Sequence, residues 1–269
     1  MNSAHGLIDT HAHLDDRRLK IRIEEVLRAS RDAGVFQVIA VSTTADDSAS
    51  VADLARDHPG VFAAVGIHPN DAVDAMPGDW DRIRSLATRP EVVAIGETGL
   101  DRHWDRTPFK HQCDSFDRHL DLAEELGLPI IIHSRECHRD IVEQLERRGR
   151  QVRGVLHSFT GTWIEAEELL GLGLHISFAG MLTFANKALD PLREAAGRVP
   201  ADRLLVETDS PYLSPHPFRG KENEPARVAI TAARLAEIRG ISAEELANLT
   251  TSNAHRLFTI PPGQIIPLT

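Results

Sequence analysis

At 269 residues, with 42% hydrophobic and 26% charged, the chain has the make-up of an ordinary globular protein, long enough for one large α/β barrel or two smaller domains. A net charge of −10, from 30 Lys+Arg against 40 Asp+Glu, excludes a broad basic surface that coats nucleic acid, but not a nuclease that grips a strand end locally through metal ions and a few basic side chains. Cys113 and Cys137 form no CxxC pattern, which excludes a disulfide framework and a thiolate zinc site. No signal-peptide pattern precedes the first apolar run, and no run approaches the ~18 apolar residues of a membrane span, so the expectation is a cytoplasmic protein with no membrane partner.

In chain order, eight short apolar runs read as strands: Gly6–His13, Phe36–Ser42, Val61–Ile67, Val92–Glu97, Pro129–His133, Gly154–His157, Leu174–Phe178 and Leu204–Thr208. Helical spacing lies between them, in Ile23, Val26 and Leu27, then Phe116, Leu120 and Ala123, then Ile141 and Leu145, then Leu169 and Leu170. Two closing helices follow the last strand, at Val228–Ile238 and Glu244–Leu257, the second opened by Ser242 with Glu245 three residues on. Eight strand–helix units in one chain read as an α/β fold, a single (β/α)8 TIM barrel over residues 1–269 with closing C-terminal helices. A doubly wound sheet usually carries a Gly-rich phosphate loop after its first strand; here that strand ends in "HAHLD".

Barrel active sites form at the C-terminal ends of the strands, and metal-binding residue types collect at those ends here. His11 and His13 end the first strand, two residues apart and so on one face of it. Glu97 ends the fourth, His133 the fifth, His157 the sixth, and Asp209 closes "LLVETD" at the eighth. Four imidazoles and two carboxylates exceed the three protein ligands and a water that one catalytic ion needs. Two divalent ions bridged by a carboxylate use the set economically, with Glu97, central in strand order, as the bridge. Imidazoles suit Zn or Mn, and carboxylates with phosphate oxygens suit Mg or Mn, so the ligand set names no single metal.

The motifs that carry these residues make the sequence recognisable. Through "DTHAHLD" (9–15), "GIHP" (66–69), "GETGLD" (96–101), "LPIIIHSR" (128–135), "GVLHSFTG" (154–161), "ETDSPYLSP" (207–215), "RGKENEP" (219–225) and "TTSNAHRLF" (250–258), it resembles the TatD family of metal-dependent nucleases, of the amidohydrolase-like barrel superfamily. The resemblance implies that His11, His13 and Asp209 hold one metal, that Glu97 bridges, and that His133 and His157 hold the second. It also implies a deoxyribonuclease that trims single-stranded DNA from an end. Hydrolysis of another ester or amide, such as aminoacyl-tRNA deacylation, is the competing expectation, since fold does not decide substrate. A phosphotriesterase-like site would usually carry a bridging lysine where Glu97 stands, which weighs against amide and lactone substrates.

Further roles follow from position. Asp209 is the expected general base, and Glu207, two residues earlier on its strand, either orients a ligand or is a buried, paired carboxylate. For substrate contacts the candidates are His68 at the end of the third strand, Arg135 two residues past His133, and Arg219, Lys221 and Asn223 in the loop after the eighth strand. His5, His58, His103, His111, His119, His138, His175, His216 and His255 fall on helices, loops or the wrong end of a strand and are assigned no role in the site. The family usually has aromatics after Leu-Asp, where this chain has Arg102-His103-Trp104; Trp104 suits either stacking on a nucleobase or packing over the barrel mouth.

Overall fold

The computed structural model describes residues 6–267, so His5 lies outside the described residues. Eight strands pair in parallel in chain order: β1 (Leu7–Ala12), β2 (Val35–Val41), β3 (Val61–Val65), β4 (Val92–Asp101), β5 (Ile130–Arg135), β6 (Gly154–Leu156), β7 (His175–Phe178) and β8 (Leu204–Val206). Helices α1 (Arg17–Lys20) and α2 (Ile23–Asp32) follow β1, α3 (Ala45–Asp57) follows β2, α4 (Asp79–Leu86) follows β3 and α5 (Phe109–Leu126) follows β4. Then come α6 (His138–Glu146), α7 (Trp163–Gly171) and α8 (Asp190–Arg198) after β5, β6 and β7, and α9 (Val228–Arg239) with α10 (Ala243–Phe258) after β8. A bridge between Ala12 and Ser210, with His13 N–H donating to Ser210 O at 2.8 Å and Asp209 N–H to His11 O at 2.9 Å, nearly closes the sheet into a barrel.

The expected (β/α)8 architecture is the observed one, for the reason read from the sequence. Strands buried on both faces must be apolar on both, and helices between them must bury one stripe. Thus α2 buries Val26 and Leu27 against the main core, while Ile8, Ile39, Val41, Phe62, Ala64, Ile131, Val155 and Leu205 join Leu257 and Phe258 of α10 in a second cluster. That cluster contains no residue of α1–α9, which marks it as the barrel interior with α10 across one end. Ser242 caps α10 by accepting Glu245 N–H at 3.1 Å, and Thr162 and Glu165 form a full capping box on α7.

The main departure from the sequence reading is β4, which runs four residues past Glu97 to Asp101. Ile95 pairs with Ile130 but Thr98 with Ile132, so β4 carries one extra residue at Gly96-Glu97, a bulge that re-aims side chains and lets pairing resume. Gly96 has φ +143°, and a Cβ there would sit 2.7 Å from Ile131 O, so no other residue fits without displacement. A similar irregularity lies in β1, where Asp9 pairs with Val38 and Ala12 with Ala40. Both bulges fall where metal-ligand candidates leave the strands.

His119 of α5 ties this region together. Its Nδ1–H donates to Ser115 O at 2.7 Å and its Nε2 accepts Ile67 N–H at 2.9 Å, just ahead of His68. Burial pushes its pKa down to about 4, since a second ring proton would face the Ile67 N–H donor. The fold therefore favours neutral His119: its contribution is complete above the unfolded value near 6.5 and is lost as pH falls towards 4, a loss of about 3 kcal/mol in all. Urea unfolding of wild type and His119→Gln at pH 7.5, 5.5 and 4.5 should show the gap between them narrowing as pH falls. A gap independent of pH would contradict this account.

Candidate metal centre

The side chains expected from the sequence to hold metal converge at the C-terminal mouth of the barrel, around one carboxylate. Glu97 Oε2 lies 3.2 Å from His11 Nε2 and 3.7 Å from His13 Nε2. Glu97 Oε1 lies 2.8 Å from His157 Nε2, 2.9 Å from His133 Nδ1 and 3.6 Å from His68 Nε2. Asp209 Oδ1 completes the first group, 3.4 Å from His13 Nε2 and 3.8 Å from His11 Nε2. Asp209 reaches in from just past β8 with φ +58°, a left-handed conformation rarely adopted by a non-glycine residue and typical of functional sites.

The partners behind the rings decide what these nitrogens offer. His13 Nδ1 faces Val41 O at 3.0 Å, and a carbonyl can only accept, so Nδ1 carries the proton and Nε2 presents a lone pair inward. His133 Nε2 donates to Asp101 Oδ2 at 3.2 Å, and His157 Nδ1 to Glu207 Oε1 at 3.2 Å, which leaves His133 Nδ1 and His157 Nε2 as inward lone pairs. Those two nitrogens are 3.3 Å apart, and His11 Nε2 and His13 Nε2 are 3.4 Å apart. Paired lone pairs around a carboxylate require a positive centre between them, so the donor set fits divalent cations. Ligand atoms of His11, His13 and Glu97 lie within 4.8 Å of one another, as do those of His68, Glu97 and His133, and those of His11, His157 and Glu207.

His68 has the reverse polarity. Its Nδ1 accepts Asn70 N–H at 3.1 Å, so its Nε2 carries the proton and faces the site as a donor. Although it sits near Glu97, it is better suited to a substrate oxygen than to a cation. Glu207 is buried against His157, taking Ser158 N–H at 2.7 Å as well as the imidazole, so one of its oxygens fixes the orientation of that ring.

Electrostatics match this arrangement. Burial raises the Glu97 carboxyl, but His157, His11 and His68 outweigh it and hold the group well below its usual range. Asp209 is likewise held low, burial being outweighed by His13 and the neighbouring imidazoles. Burial pushes His13 down, but its hydrogen bond to Asp209 and the charges of Glu97 and Asp209 lift it to about 9. His157 is raised well above its usual value against burial, by Glu97 and Glu207. Burial and the adjacent His133 take His68 down to about 3. Protons thus occupy some of the inward positions that a cation would take.

The remaining sequence candidates are placed less centrally. Arg135 ends β5 exposed, its guanidinium 5.8 Å from the Trp104 ring centre. Arg219 and Lys221 are exposed, over the rings of Phe184 at 4.7 Å and Phe218 at 5.9 Å, and among the described residues neither has an ion-pair partner. Asn223 must be corrected as a substrate contact. It is fully buried, its amide donates to Thr208 O at 3.0 Å and Tyr212 O at 2.7 Å, and its carbonyl accepts Glu224 N–H, so it pins the loop after β8.

Two supporting carboxylates are not singled out by sequence reasoning. Asp101 receives the N–H groups of His103 and Trp104 and the amide of Asn70 as well as His133. Asp9 accepts Thr208 N–H at 2.9 Å and its hydroxyl at 2.5 Å, joining the ligand-bearing ends of β1 and β8. Both lie inside quoted motifs, but only the bulges reveal where they point.

Comparison with known proteins agrees with the geometry. Residues 8–259 match the family described as TatD related DNase. The chain is similar to the uncharacterized metal-dependent hydrolase YabD of Bacillus subtilis, 41% identical over 255 residues that cover 94% of this chain and 99% of that protein. It is also similar to the 3'-5' ssDNA/RNA exonuclease TatD of Pantoea vagans, 36% identical over 260 residues, 94% of this chain and all 100% of the other. The crystal structure of YJJV, a TatD homolog from Escherichia coli K12, superimposes with a TM-score of 0.89 at 33% identity, covering 96% of this chain and 100% of that one.

Two outcomes follow for metal binding. Loading a cation should displace the His13 proton, so calorimetric titration in buffers of different ionisation enthalpy should show at least about one proton released at pH 7.5, and affinity should strengthen as pH rises towards about 9. Zero proton release would show that His13 is already neutral. Asp101→Asn, which weakens the acceptor behind His133, should lower metal affinity about 10–100-fold without unfolding the protein; unchanged affinity would remove Asp101 from the site's support.

Proposed function

The chain belongs to the family of TatD-related DNases and is a metal-dependent hydrolase, and from that premise we propose that it holds two divalent ions and trims single-stranded nucleic acid from an end. The observation that carries this reading is the division of Glu97: each carboxylate oxygen faces a separate pair of imidazole nitrogens. His11, His13 and Asp209 would hold one ion with Glu97, and His133 and His157 the other. When bound, such ions lower the pKa of a coordinated water towards neutrality and neutralise charge on the phosphoryl oxygens.

This chain's own groups supply the rest. Asp209, held in its ionised form beside His13, orients the attacking water and takes its proton at a carboxylate oxygen. His68 donates its Nε2–H to a phosphoryl or leaving oxygen. Glu207 and Asp101 keep His157 and His133 in the tautomers the site needs. Arg135, exposed, two residues past His133 and without an ion-pair partner among the described residues, is a proposed phosphate contact, as are the exposed Arg219 and Lys221 of the loop after β8. A strand end as substrate is supported by the likeness to the Pantoea vagans 3'-5' ssDNA/RNA exonuclease. Two free cysteines suit a reducing, cytoplasmic setting, and no helix among the described residues is long and apolar enough to cross a membrane.

The test is nucleotide release from end-labelled single-stranded DNA with Mg, Mn or Zn. Release should require metal, stop with a chelator, and fall about 10²–10⁴-fold in Asp209→Asn. Intact DNA after incubation with metal-loaded wild type would overturn the nuclease reading and turn attention to aminoacyl-tRNA and other esters.

A further inference from the structure

Among the described residues, the exposed large apolar side chains include two aromatics, Trp104 at 55% and Tyr212 at 49% exposure. Both are tied to the metal centre, and to opposite sides of it. Trp104 N–H donates to Asp101 Oδ1 at 3.1 Å, and the other oxygen of Asp101 holds His133, which faces Glu97 Oε1. Tyr212 N–H donates to Asp209 O at 2.9 Å, and its ring lies 6.0 Å from that of His13, which faces Glu97 Oε2. A continuous path therefore runs from Trp104 through Asp101, His133, Glu97 and His13 to Tyr212, with the bridging carboxylate at its middle.

Each ring also carries an arginine. The Arg18 guanidinium lies 4.9 Å from the Tyr212 ring centre, clamped there by Asp16 at 2.9 and 2.7 Å, and that of Arg135 lies 5.8 Å from the Trp104 ring centre. A half-exposed aromatic beside a guanidinium is the usual platform for single-stranded nucleic acid: the ring takes a base face and the cation the backbone. With a net charge of −10 the protein offers no broad basic surface for a strand, which gives stacking contacts beside the ions and a few basic side chains more weight.

We propose that Trp104 and Tyr212 are the two base-stacking subsites that straddle the scissile phosphodiester, one for the terminal nucleobase and the other for its neighbour; this rests on the nuclease reading above. Stacking is tolerant of base identity, so the pair would set substrate class, an unpaired strand with bases on both sides of the bond, and not sequence. A base stacked inside a duplex has both faces covered, so a duplex end cannot supply free faces to both rings.

The experiment is steady-state cleavage of single-stranded DNA that is intact, abasic at the terminal nucleotide, or abasic at the second. Trp104→Ala and Tyr212→Ala should each raise KM about tenfold on intact DNA, with kcat near wild type, while Trp104→Phe and Tyr212→Phe retain most of the affinity. The penalty for one substitution should disappear on one abasic substrate and that for the other on the second, because each ring then has no base to lose. Metal content measured alongside confirms that Asp101 and Asp209 remain in place. If wild type cleaves but neither alanine variant changes KM, or if both penalties persist on both abasic substrates or vanish on the same one, the two-platform assignment is wrong while the nuclease reading stands. If wild type cleaves no single strand, the reading falls and this assignment falls with it.

Discussion

The site depends on keeping one ionised carboxylate in a buried position. Glu97 is 2% exposed, a location that by itself would protonate it. It remains charged because imidazoles approach both oxygens, and each oxygen serves a different set. Much of the local backbone follows from that requirement. The extra residue in β4 turns the side chain into the mouth, Gly96 lets the bulge lie against β5, and Gly66, whose Cβ would stand 2.8 Å from Gly96, lets β3 approach from the other side.

Outside the ligands, tautomer control separates one histidine from another. His13, His133 and His157 each give their outward N–H to an oxygen that can only accept or is charged, so each turns a lone pair inward. His68 takes a backbone N–H instead and turns a proton inward. Of the five rings around Glu97, three thus aim a nitrogen that can offer a lone pair and His68 aims a hydrogen-bond donor, through what lies behind them. The distinction is carried by Val41 O, Asp101, Glu207 and Asn70 N–H, none of which belongs to the inner set.

This is also where sequence reading meets its limit. Residue type and position at strand ends sufficed for the barrel and for the convergence of His11, His13, Glu97, His133, His157 and Asp209 on one mouth, because apolar runs locate strand ends directly and a barrel puts those ends together. A bulge has no signature in the apolar pattern, so the extension of β4 to Asp101 was not legible, and neither was the role of Asp101 behind His133. Asn223 shows the opposite failure. An asparagine in a polar loop after β8 looks available to a ligand, yet the loop folds its amide under its own carbonyls. Loop composition reports solvent-facing chemistry only on average; backbone groups left over from the turn take the first polar side chain within reach.

The acidic balance of the chain acquires meaning at the mouth. Without cations, the carboxylates of Glu97, Asp101 and Asp209 are offset only by protons on the raised His13, His133 and His157, which leaves no surplus of positive charge for a phosphate. Divalent cations in place of those protons make the mouth positive over a few ångströms, while the rest of the surface continues to repel a polyanion. Under the proposed nuclease reading, this field favours a short segment reaching the centre over a long duplex lying across the protein. The strand end is then selected by two features at once: a positive point small enough to hold one phosphate, and flanking rings that need bases free of a partner. Neither feature reads sequence, which is the chemistry expected of an enzyme that removes nucleotides without regard to their identity.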